Sequence, residues 1–215
     1  MEHEIRFVSL KEKESIESLF RKGKIEIEAY ADLLIWWNDK LNLVSRGVSR
    51  ETVLSHIKHS LYISLSKAFA ASDRLIDTGA GGGLPGLPLA ICFPEKEIVI
   101  NDIVRKKIFA VNDMINKLGL SGRASGVAGD VKSLEFNNVE VVITKHAFKI
   151  PELVKLVGGK KWKKIVFLKG HEEALHEANG LEGLIKMKIV RLDSDFMTSF
   201  YDGKGLVEIE RVSDE

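Results

Sequence analysis

The sequence predicts an α/β protein whose centre is a mostly parallel β-sheet with helices on both faces. After residue 71, short apolar runs alternate with longer helical patterns, which is typical of strand–helix–strand units. A glycine-rich segment follows the first of these runs, whereas the first seventy residues carry helical patterns only. We therefore expect an N-terminal helical cap over residues 1–70 and a sheet-containing domain over residues 71–215, packed as one unit.

The expected elements follow in chain order from the spacing of apolar residues. Two helices are predicted at 25–43 and 51–69, separated by Gly47. Seven strands are expected, at Arg74–Asp77, Glu97–Asp102, Ala124–Asp130, Glu140–Thr144, Lys164–Lys169, Lys188–Leu192 and Gly205–Val212. Helices at 105–118 and from about 151 and 171 connect the parallel strands. The last two strands are joined by a loop alone, so they should close the sheet with an antiparallel, hairpin-like edge in which the last strand is antiparallel.

Composition and charge limit the classes of protein that this chain can belong to. Its 215 residues are 45% hydrophobic and 29% charged, which is typical of soluble globular proteins and excludes disordered and fibrous classes. The formal net charge of +1 argues against a polybasic binder of nucleic acid. The single cysteine, Cys92, and the lack of a secretory signal at Met1 predict a cytoplasmic protein. The longest charge-poor stretch, 75–94, holds five glycines and three prolines and is not expected to cross a membrane.

The segment between the first strand and the next helix concentrates five of the 18 glycines within ten residues. Such a loop lies at the carboxyl edge of a parallel sheet, where ligands bind. The pattern G-x-G-x-x-G occurs as Gly81, Gly83 and Gly86, which is a feature of dinucleotide-binding loops. A dinucleotide fingerprint should instead begin directly after the strand, at Gly79, and Leu84 then occupies the third glycine position. A nicotinamide-dependent oxidoreductase stays as one alternative.

Three aspartates end the first three predicted strands, and each suits one part of a ligand. Asp77 would repel a pyrophosphate, but it suits a ligand with a cationic amino group and no phosphate, such as S-adenosylmethionine. Asp102 is placed to accept hydrogen bonds from ribose hydroxyls, and Asp130 to reach an adenine edge. Together they favour S-adenosylmethionine as the cofactor.

Several motifs resemble those of the glucose-inhibited division protein B family, and the resemblance runs from about Trp37 to Gly170. It rests on Trp37-Asn38 with Asn42-Leu43, His56-Ile57 with Ser60-Leu61, the loop Asp77 to Gly86 with its Leu84-Pro85-Gly86 ending, Asp102 with Lys106-Lys107, and Leu168-Lys169-Gly170. The resemblance implies a Rossmann-like class I S-adenosylmethionine methyltransferase fold. It also implies methyl transfer to N7 of a guanine in small-subunit (16S) ribosomal RNA.

The resemblance places the family's cofactor contacts on particular positions of this chain. With the other loop residues, the expected cofactor-binding set is Asp77, Gly79, Ala80, Gly81, Gly83, Leu84, Asp102, Asp130, Val131 and Lys145. Lys145 stands where the family carries an arginine, and lysine lacks the planar fork that binds a carboxylate or phosphate in two places. His59 and Gly129 also depart from the family pattern, at positions of an aspartate and an arginine. A non-catalytic relative that binds RNA or the cofactor is therefore the second alternative.

The chemistry of N7 methylation fits a site without a general base. N7 carries an exposed lone pair, so the enzyme must place it in line with the methyl group and stabilise the charge that moves. The residues expected to act on the substrate, as the catalytic set, are Lys145, His146 and Lys169. The residues expected to contact RNA phosphates are Arg105, Lys106, Lys107 and Lys149. The expected partner is small-subunit ribosomal RNA or the small ribosomal subunit, and the protein is expected to act as a monomer.

Other conspicuous residues are expected to be structural. Cys92 lies in an apolar helix and is interpreted as a core residue. His171 and His176 are five apart and would diverge on a helix, so no metal site is expected. The pair Trp36-Trp37 is expected to pack between the helical cap and the sheet rather than to stack on bases.

The near-neutral net charge hides a local excess of lysine. Residues 145–170 contain eight lysines and one acid, Glu152, a balance of +7. The lysines at 160–164 precede a strand and should lie at the sheet edge opposite the cofactor. The cations that follow strands should form a confined basic rim beside it, whose RNA binding depends only moderately on salt.

Overall fold

The strands and helices follow the alternation that the sequence predicts. The computed structural model describes residues 4–181 and 183–212. The strands are β1 (Glu4–Phe7), β2 (Arg74–Thr78), β3 (Glu97–Asp102), β4 (Ala124–Ala128), β5 (Val141–Lys145), β6 (Lys164–Gly170), β7 (Ile185–Arg191) and β8 (Lys204–Arg211). The α-helices are α1 (Leu10–Lys22), α2 (Lys24–Leu41), α3 (Arg50–Leu61), α4 (Lys67–Ala71), α5 (Gly86–Cys92), α6 (Arg105–Lys117), α7 (Ile150–Leu156) and α8 (His171–Ala178).

All these strands form one sheet, in the order β1-β7-β8-β6-β5-β2-β3-β4. The run β6-β5-β2-β3-β4 is parallel throughout, and β8 lies antiparallel between β6 and β7. The carboxyl ends of the parallel strands therefore meet at one edge of the sheet. This arrangement confirms the predicted α/β class and the antiparallel last strand.

The sheet has eight strands where seven were predicted, because Glu4–Phe7 adds a strand to the edge. It pairs in parallel with β7, from Glu4 opposite Lys188 to Phe7 opposite Arg191. The prediction that the first seventy residues are purely helical is wrong for this segment. All four of its residues are exposed, so the segment carries no buried apolar run by which a strand is recognised.

The N-terminal helices pack directly on the sheet and on the glycine-rich loop. A single buried cluster joins helix residues such as Leu34 and Ile57 to sheet residues such as Ile100. The hydroxyl of Tyr30 on α2 donates to the carbonyl of Gly82, with 2.9 Å between the oxygens. The helices thus support the loop from behind.

Two further features bear on the classes excluded above. Within residues 4–181 and 183–212, no helix combines the length and the apolar character that a membrane crossing requires. The same residues contain no group of three or more His, Cys, Asp or Glu side chains that could hold a metal ion. His171 instead lies 3.1 Å from a carboxylate oxygen of Asp193.

Candidate functional site

The carboxyl edge of the sheet opens into a cavity of about 640 Å³, here called the main cavity. This volume lies within the usual range for small-molecule sites. Residues from four strand ends and the loops after them form its walls: Leu43, Thr78, Gly79, Gly81, Asn101, Asp102, Ile103, Val104, Lys107, Gly129, Asp130, Val131, Lys145, His146, Ala147, Phe148, Glu152 and Leu156. An adjoining cavity of about 360 Å³ shares Gly79, Gly81, Lys145 and His146 with it.

The glycine-rich loop forms the wall between β2 and α5 through backbone atoms. Gly79 and Gly81 have φ values of +70° and +55°, a region that favours glycine. A Cβ at Gly79 would lie 2.5 Å from the Cβ of Ala147, so a side chain there would close the space between the two walls. The Gly81 amide donates to Asp102 Oδ2 at 3.0 Å. The loop therefore presents bare main chain to the cavity and is fixed to the end of β3.

Asp102 occupies the place at the end of β3 where the sequence predicts a ribose contact. Its side chain lines the main cavity and is held by the Gly81 amide on Oδ2 and the Val104 amide on Oδ1. Lys107 Nζ lies 3.8 Å from Oδ2. A carboxylate accepts about four hydrogen bonds, so acceptor sites remain for a ligand.

Asp130 and Val131 lie together where the chain leaves β4 for a short 3₁₀ turn. Asp130 caps this turn, accepting from the Lys132 amide at 3.0 Å, and Lys132 Nζ lies 3.1 Å from its other oxygen. These bonds to Lys132 lower the pKa of the Asp130 carboxyl. Val131 is buried, and both residues line the main cavity.

Asp77, expected to contact the cofactor, lies beneath the loop and lines neither cavity. It is fully buried, and its Oδ2 accepts from the Gly86 amide at 2.7 Å. Oδ1 is buried without a hydrogen-bond partner among the described residues. Burial raises the pKa of the carboxyl well above its ordinary value, with the Gly86 bond opposing the shift. The structure thus gives Asp77 the task of holding the loop to the start of α5.

The remaining loop residues of the expected cofactor set divide between the two cavities. Ala80 and Leu84 line the adjoining cavity only. Gly83 lies outside both. Its φ is +96°, and a Cβ added there would lie 2.5 Å from Leu87 Cδ1, so the turn itself explains the glycine. The structure therefore does not place Gly83 against a ligand.

Lys145 ends β5 and lies between the two cavities. It is buried, and its Nζ donates to the carbonyl of His56 at 2.7 Å, with Ser60 Oγ at 3.5 Å. Burial, then the charge of Lys204, lowers the pKa of the ammonium to about 7, and Asp77 opposes the shift. Lys145 thus links the end of the sheet to α3 while it borders both cavities.

His146 lies at the shared mouth of the two cavities with a positive φ of 52°. The residue is exposed along the cleft, and its amide donates to the carbonyl of Leu168 at 3.1 Å. Desolvation by the cleft walls, then the charges of Lys145 and Lys204, lower the pKa of the imidazole to about 4. His146 is therefore neutral at neutral pH and offers one donor and one acceptor.

Two histidines of α3 lie beside Lys145 and His146, although the sequence analysis did not include them among the site residues. His56 lines the adjoining cavity, and burial followed by the charge of Lys145 lowers its pKa to about 4. His59 is fully buried 5.9 Å from the His146 ring, and its two ring nitrogens have no partner within the described part of the chain. The sequence offered two indirect signals, the place of His56 in the His56-Ile57 motif of the family resemblance and the departure at His59 from the family pattern.

Lys169 was expected to face the substrate, but it lines neither the main cavity nor the adjoining cavity. It is 2% exposed, and its ammonium pairs with Glu177 on α8. The same ammonium lies 3.4 Å from the carbonyl of Phe148, and Glu177 also accepts from the Ile150 amide at 2.8 Å. Lys169 therefore positions the loop between β5 and α7, and it lines a surface depression that contains His146 and Lys149.

The four predicted phosphate contacts are placed differently from one another. Arg105 and Lys106 are exposed at the start of α6, directly after the wall residues Ile103 and Val104. Lys107 is half-buried and lines the main cavity beside Asp102. Lys149 is exposed at the N-cap of α7, on a separate surface depression that also contacts His146.

A buried polar network beneath the cavity was also missed. Thr78 Oγ1 lies 2.9 Å from Asn101 Oδ1, and Asn101 Nδ2 donates to the carbonyls of Val127 and Gly129. Thr144 Oγ1 donates to the carbonyl of Thr78 at 2.8 Å. These bonds fix the ends of four strands relative to one another, and Thr78 and Asn101 line the cavity.

The fold is that of the Rossmann-like class I methyltransferases. A SAH-bound methyltransferase from Podospora anserina superposes with a TM-score of 0.58 at 15% identity, covering 86% of this chain and 88% of that one. At this identity the likeness concerns the fold alone.

The sequence comparisons give the family within that class. A sequence model of the rRNA small subunit methyltransferase G (GidB) family matches residues 24–199, and the chain belongs to this family. It is similar to ribosomal RNA small subunit methyltransferase G of Chlorobium limicola, at 39% identity over 59% of this chain and 57% of the relative. The protein of the same name from Christiangramia forsetii is 33% identical over 84% of each chain. The match to the Chlorobium protein thus spans little more than half of that relative's length.

Proposed function

We propose that this protein transfers a methyl group from S-adenosylmethionine to N7 of a guanine in small-subunit ribosomal RNA. The observation that carries the proposal is the joined pair of cavities at the carboxyl edge of the sheet. The main cavity is lined by the glycine-rich loop and Asp102, and it meets the adjoining cavity at Gly79, Lys145 and His146. Two joined spaces of this kind suit a donor and an acceptor that must meet. Family membership supports the same reaction.

The residues of the main cavity fit S-adenosylmethionine. Gly79 and Gly81 present main-chain atoms without a Cβ to the cavity. A Cβ at Gly81 would lie only 3.2 Å from the carbonyl oxygen of Leu43, so a larger residue there would narrow the cavity. Asp102 keeps acceptor sites for ribose hydroxyls, and Asp130 with Val131 offers a polar and an apolar contact for adenine. When bound, the cofactor supplies a methyl group on a positively charged sulfur. The protein's part is to bind it along this wall and to exclude water.

The adjoining cavity is the proposed place of the guanine. Its walls include Ala80 and Leu84 on the loop side and His56 on the helix side. The neutral imidazole of His146 is able to accept a hydrogen bond from a guanine N–H group or to donate one to its carbonyl oxygen. No proton must leave N7 before it attacks, so these residues orient the base and need not ionise it.

The proposed partner is ribosomal RNA, within the assembled small subunit or free. We also propose that the protein acts as a monomer in the cytoplasm. The proposed phosphate contacts are exposed Arg105 and Lys106, which directly follow the cavity residues Ile103 and Val104, and exposed Lys149, which shares a surface depression with His146. The predicted basic rim is thus reduced to those cations that do not pair inside the protein.

The deciding experiment incubates the protein with labelled methyl donor and small ribosomal subunits that lack the modification, followed by mapping of the product. Label on N7 of one guanine is the expected result. Calorimetry with S-adenosylhomocysteine and with NAD provides the cofactor control. Tight NAD binding without S-adenosylhomocysteine binding would support the oxidoreductase alternative and overturn the proposal.

A second candidate is a relative that binds cofactor and RNA without transferring the methyl group. It is favoured by Lys145, which stands at the family's arginine position and has its ammonium engaged by the carbonyl of His56. Cofactor binding and RNA binding with no label in the product would select this second candidate.

A further inference from the structure

Three aromatic side chains form a ridge on α2 and α6, with two exposed rings and the half-buried ring of Trp37. Trp36 on α2 is 48% exposed and Phe109 on α6 is 68% exposed. Trp37 lies between them, with ring centroids 4.9 Å from Trp36 and 5.8 Å from Phe109. The expectation that both tryptophans pack inside the protein is therefore wrong for Trp36. These three residues are called the aromatic ridge below.

Cations surround the ridge. Lys40 Nζ lies 3.7 Å and Lys117 Nζ 5.1 Å from the centroid of the Trp36 ring. Arg105 and Lys106 precede Phe109 by one turn of α6 and are exposed. Aromatic rings with interspersed cations are the combination by which proteins bind single-stranded nucleic acid.

Two acids beside the ridge are already engaged. Asp32, which shares a surface depression with Trp36, accepts from Arg50 Nε at 2.7 Å. Asp113 Oδ2 accepts from Trp37 Nε1 at 2.9 Å and from Lys117 at 2.7 Å. The Asp113 carboxylate thus holds the Trp37 ring between α2 and α6. Because Lys117 neutralises it, this carboxylate repels a phosphate less than an unpaired acid would. The contact between Lys40 and Trp36 is an exposed cation–π interaction, which is weak, so a nucleotide base can displace the ammonium from the ring.

The Phe109 end of the ridge lies nearest the wall of the main cavity. Ile103 and Val104 line that cavity and are themselves exposed. Phe109 follows Val104 by five residues, which is about 7.5 Å of helix. Trp36 lies beside the far end of α6, where it shares a surface depression with Lys117. A nucleotide bound at Phe109 is therefore close enough to belong to the same RNA strand as a target base in the cleft, and Trp36 is placed for a nucleotide farther along that strand.

We propose that the aromatic ridge is a stacking platform for unpaired nucleotides of the RNA that flank the target base. The choice of RNA as the substrate rests on the proposed function. The choice of this surface rests on its exposed rings, its cations and its position. Lys40, Arg105 and Lys106 would contact the phosphates of the stacked nucleotides.

The test measures binding of a single-stranded RNA oligonucleotide through quenching of tryptophan fluorescence, without any methyl transfer. Phe109→Ala and Trp36→Ala should each raise the dissociation constant by at least about fivefold, the usual effect of removing one base–aromatic stack. Phe109→Tyr should retain binding, since a base stacks equally well on tyrosine. Leu184→Ala, an exposed apolar residue of a distant loop, is the matched control and should change nothing.

Unchanged RNA affinity in both alanine variants would overturn the inference. If the variants impair only the reaction on intact subunits and not the binding of protein-free RNA, the ridge contacts a ribosomal protein and the inference is also wrong. If RNA binding falls as expected but no methyl transfer occurs with the unaltered protein, the proposed function fails and the stacking platform stands.

Discussion

At the scale of single residues, Asp102 has two roles: it holds the glycine-rich loop in place, and it is the proposed contact of the cofactor's ribose. Its two oxygens accept from Gly81 and Val104, which fixes the carboxylate at the cavity wall before any ligand arrives. Such fixed acceptors lower the entropy that binding must overcome. The residue type and its place at the end of a strand were predictable from the sequence, whereas the two amide donors depend on how the loop returns over the strand.

Asp102→Ala should weaken binding of S-adenosylhomocysteine by about 1–3 kcal/mol, because hydrogen bonds to a charged acceptor are lost. Calorimetry measures the change, and thermal unfolding shows whether the loop itself is disturbed. Asp195→Ala, at an exposed position that lines neither cavity, is the control. An unaltered dissociation constant in the Asp102 variant would remove this residue from the site.

Lys145 should make stability depend on pH. Its pKa is lowered by burial from 10.5 to about 7, so between these values the unfolded chain binds a proton that the folded chain has released. Stability attributable to this group therefore rises with pH from about 7 to 10.5, and the cost of burying the ammonium is complete below pH 7.

Replacing Lys145 by Met removes this dependence. The free energy of unfolding of the unaltered protein, relative to Lys145→Met, should rise by roughly a few kcal/mol between about pH 7 and about pH 10. Urea unfolding of both proteins at the two pH values measures the difference, and other titrating groups cancel in it. Parallel pH profiles for the two proteins would show that the ammonium is not destabilised by burial.

At the scale of elements, the β2–α5 loop brings the glycine-rich wall against the β5–α7 loop with no room for a side chain. Gly79→Ala should abolish detectable cofactor binding, because the new Cβ would lie 2.5 Å from Ala147 and the φ of +70° disfavours alanine. The matched control is Gly119→Ala, which has a similar φ of +66° but nothing within 4 Å of its Cβ. Calorimetry with S-adenosylhomocysteine separates the two, and equal binding by both variants would contradict a tight wall at Gly79.

The elements show where prediction from the sequence succeeds and where it stops. The central parallel strands β2, β3, β5 and β6 are buried on both faces, so their apolar runs and the glycine-rich loop after β2 are visible in the sequence. The fate of Lys169 depends on Glu177, a partner supplied by another helix, and nothing in the local sequence reports such a pairing. The exposure of Trp36 likewise depends on the packing of α2 against α6.

At the scale of the whole molecule, the two edges of the sheet differ in whether their basic side chains form ion pairs. On the edge opposite the cavities, Lys163 pairs with Glu140, and Lys164 pairs with Glu208 and Glu210. On the cavity edge, Arg105, Lys106 and Lys149 are exposed. The acid partners thus neutralise Lys163 and Lys164 at the opposite edge, whereas Arg105, Lys106 and Lys149 keep their exposed charges on the cavity edge.

This division predicts a shallow dependence of RNA binding on salt. The four proposed phosphate contacts, Lys40, Arg105, Lys106 and Lys149, correspond to a slope of about −3 in a plot of log affinity against log salt concentration for single-stranded RNA. Lys106→Ala should reduce that slope by about 0.7, and Lys161→Ala at the opposite edge should not alter it. RNA titrations of the two variants at several potassium chloride concentrations measure these slopes. A smaller slope in the Lys161 variant would show that the RNA contacts the edge opposite the cavities and would contradict the prediction.

The pairing of β1 with β7 has a consequence for how the chain folds as it is synthesised. Glu4–Phe7 is the first described strand in chain order, whereas its partner Ile185–Arg191 is the seventh. The ladder between them therefore closes a loop of nearly the whole described chain, and the sheet cannot gain this strand until most of the described residues have been synthesised. Until then Glu4–Phe7 has no strand partner in this sheet.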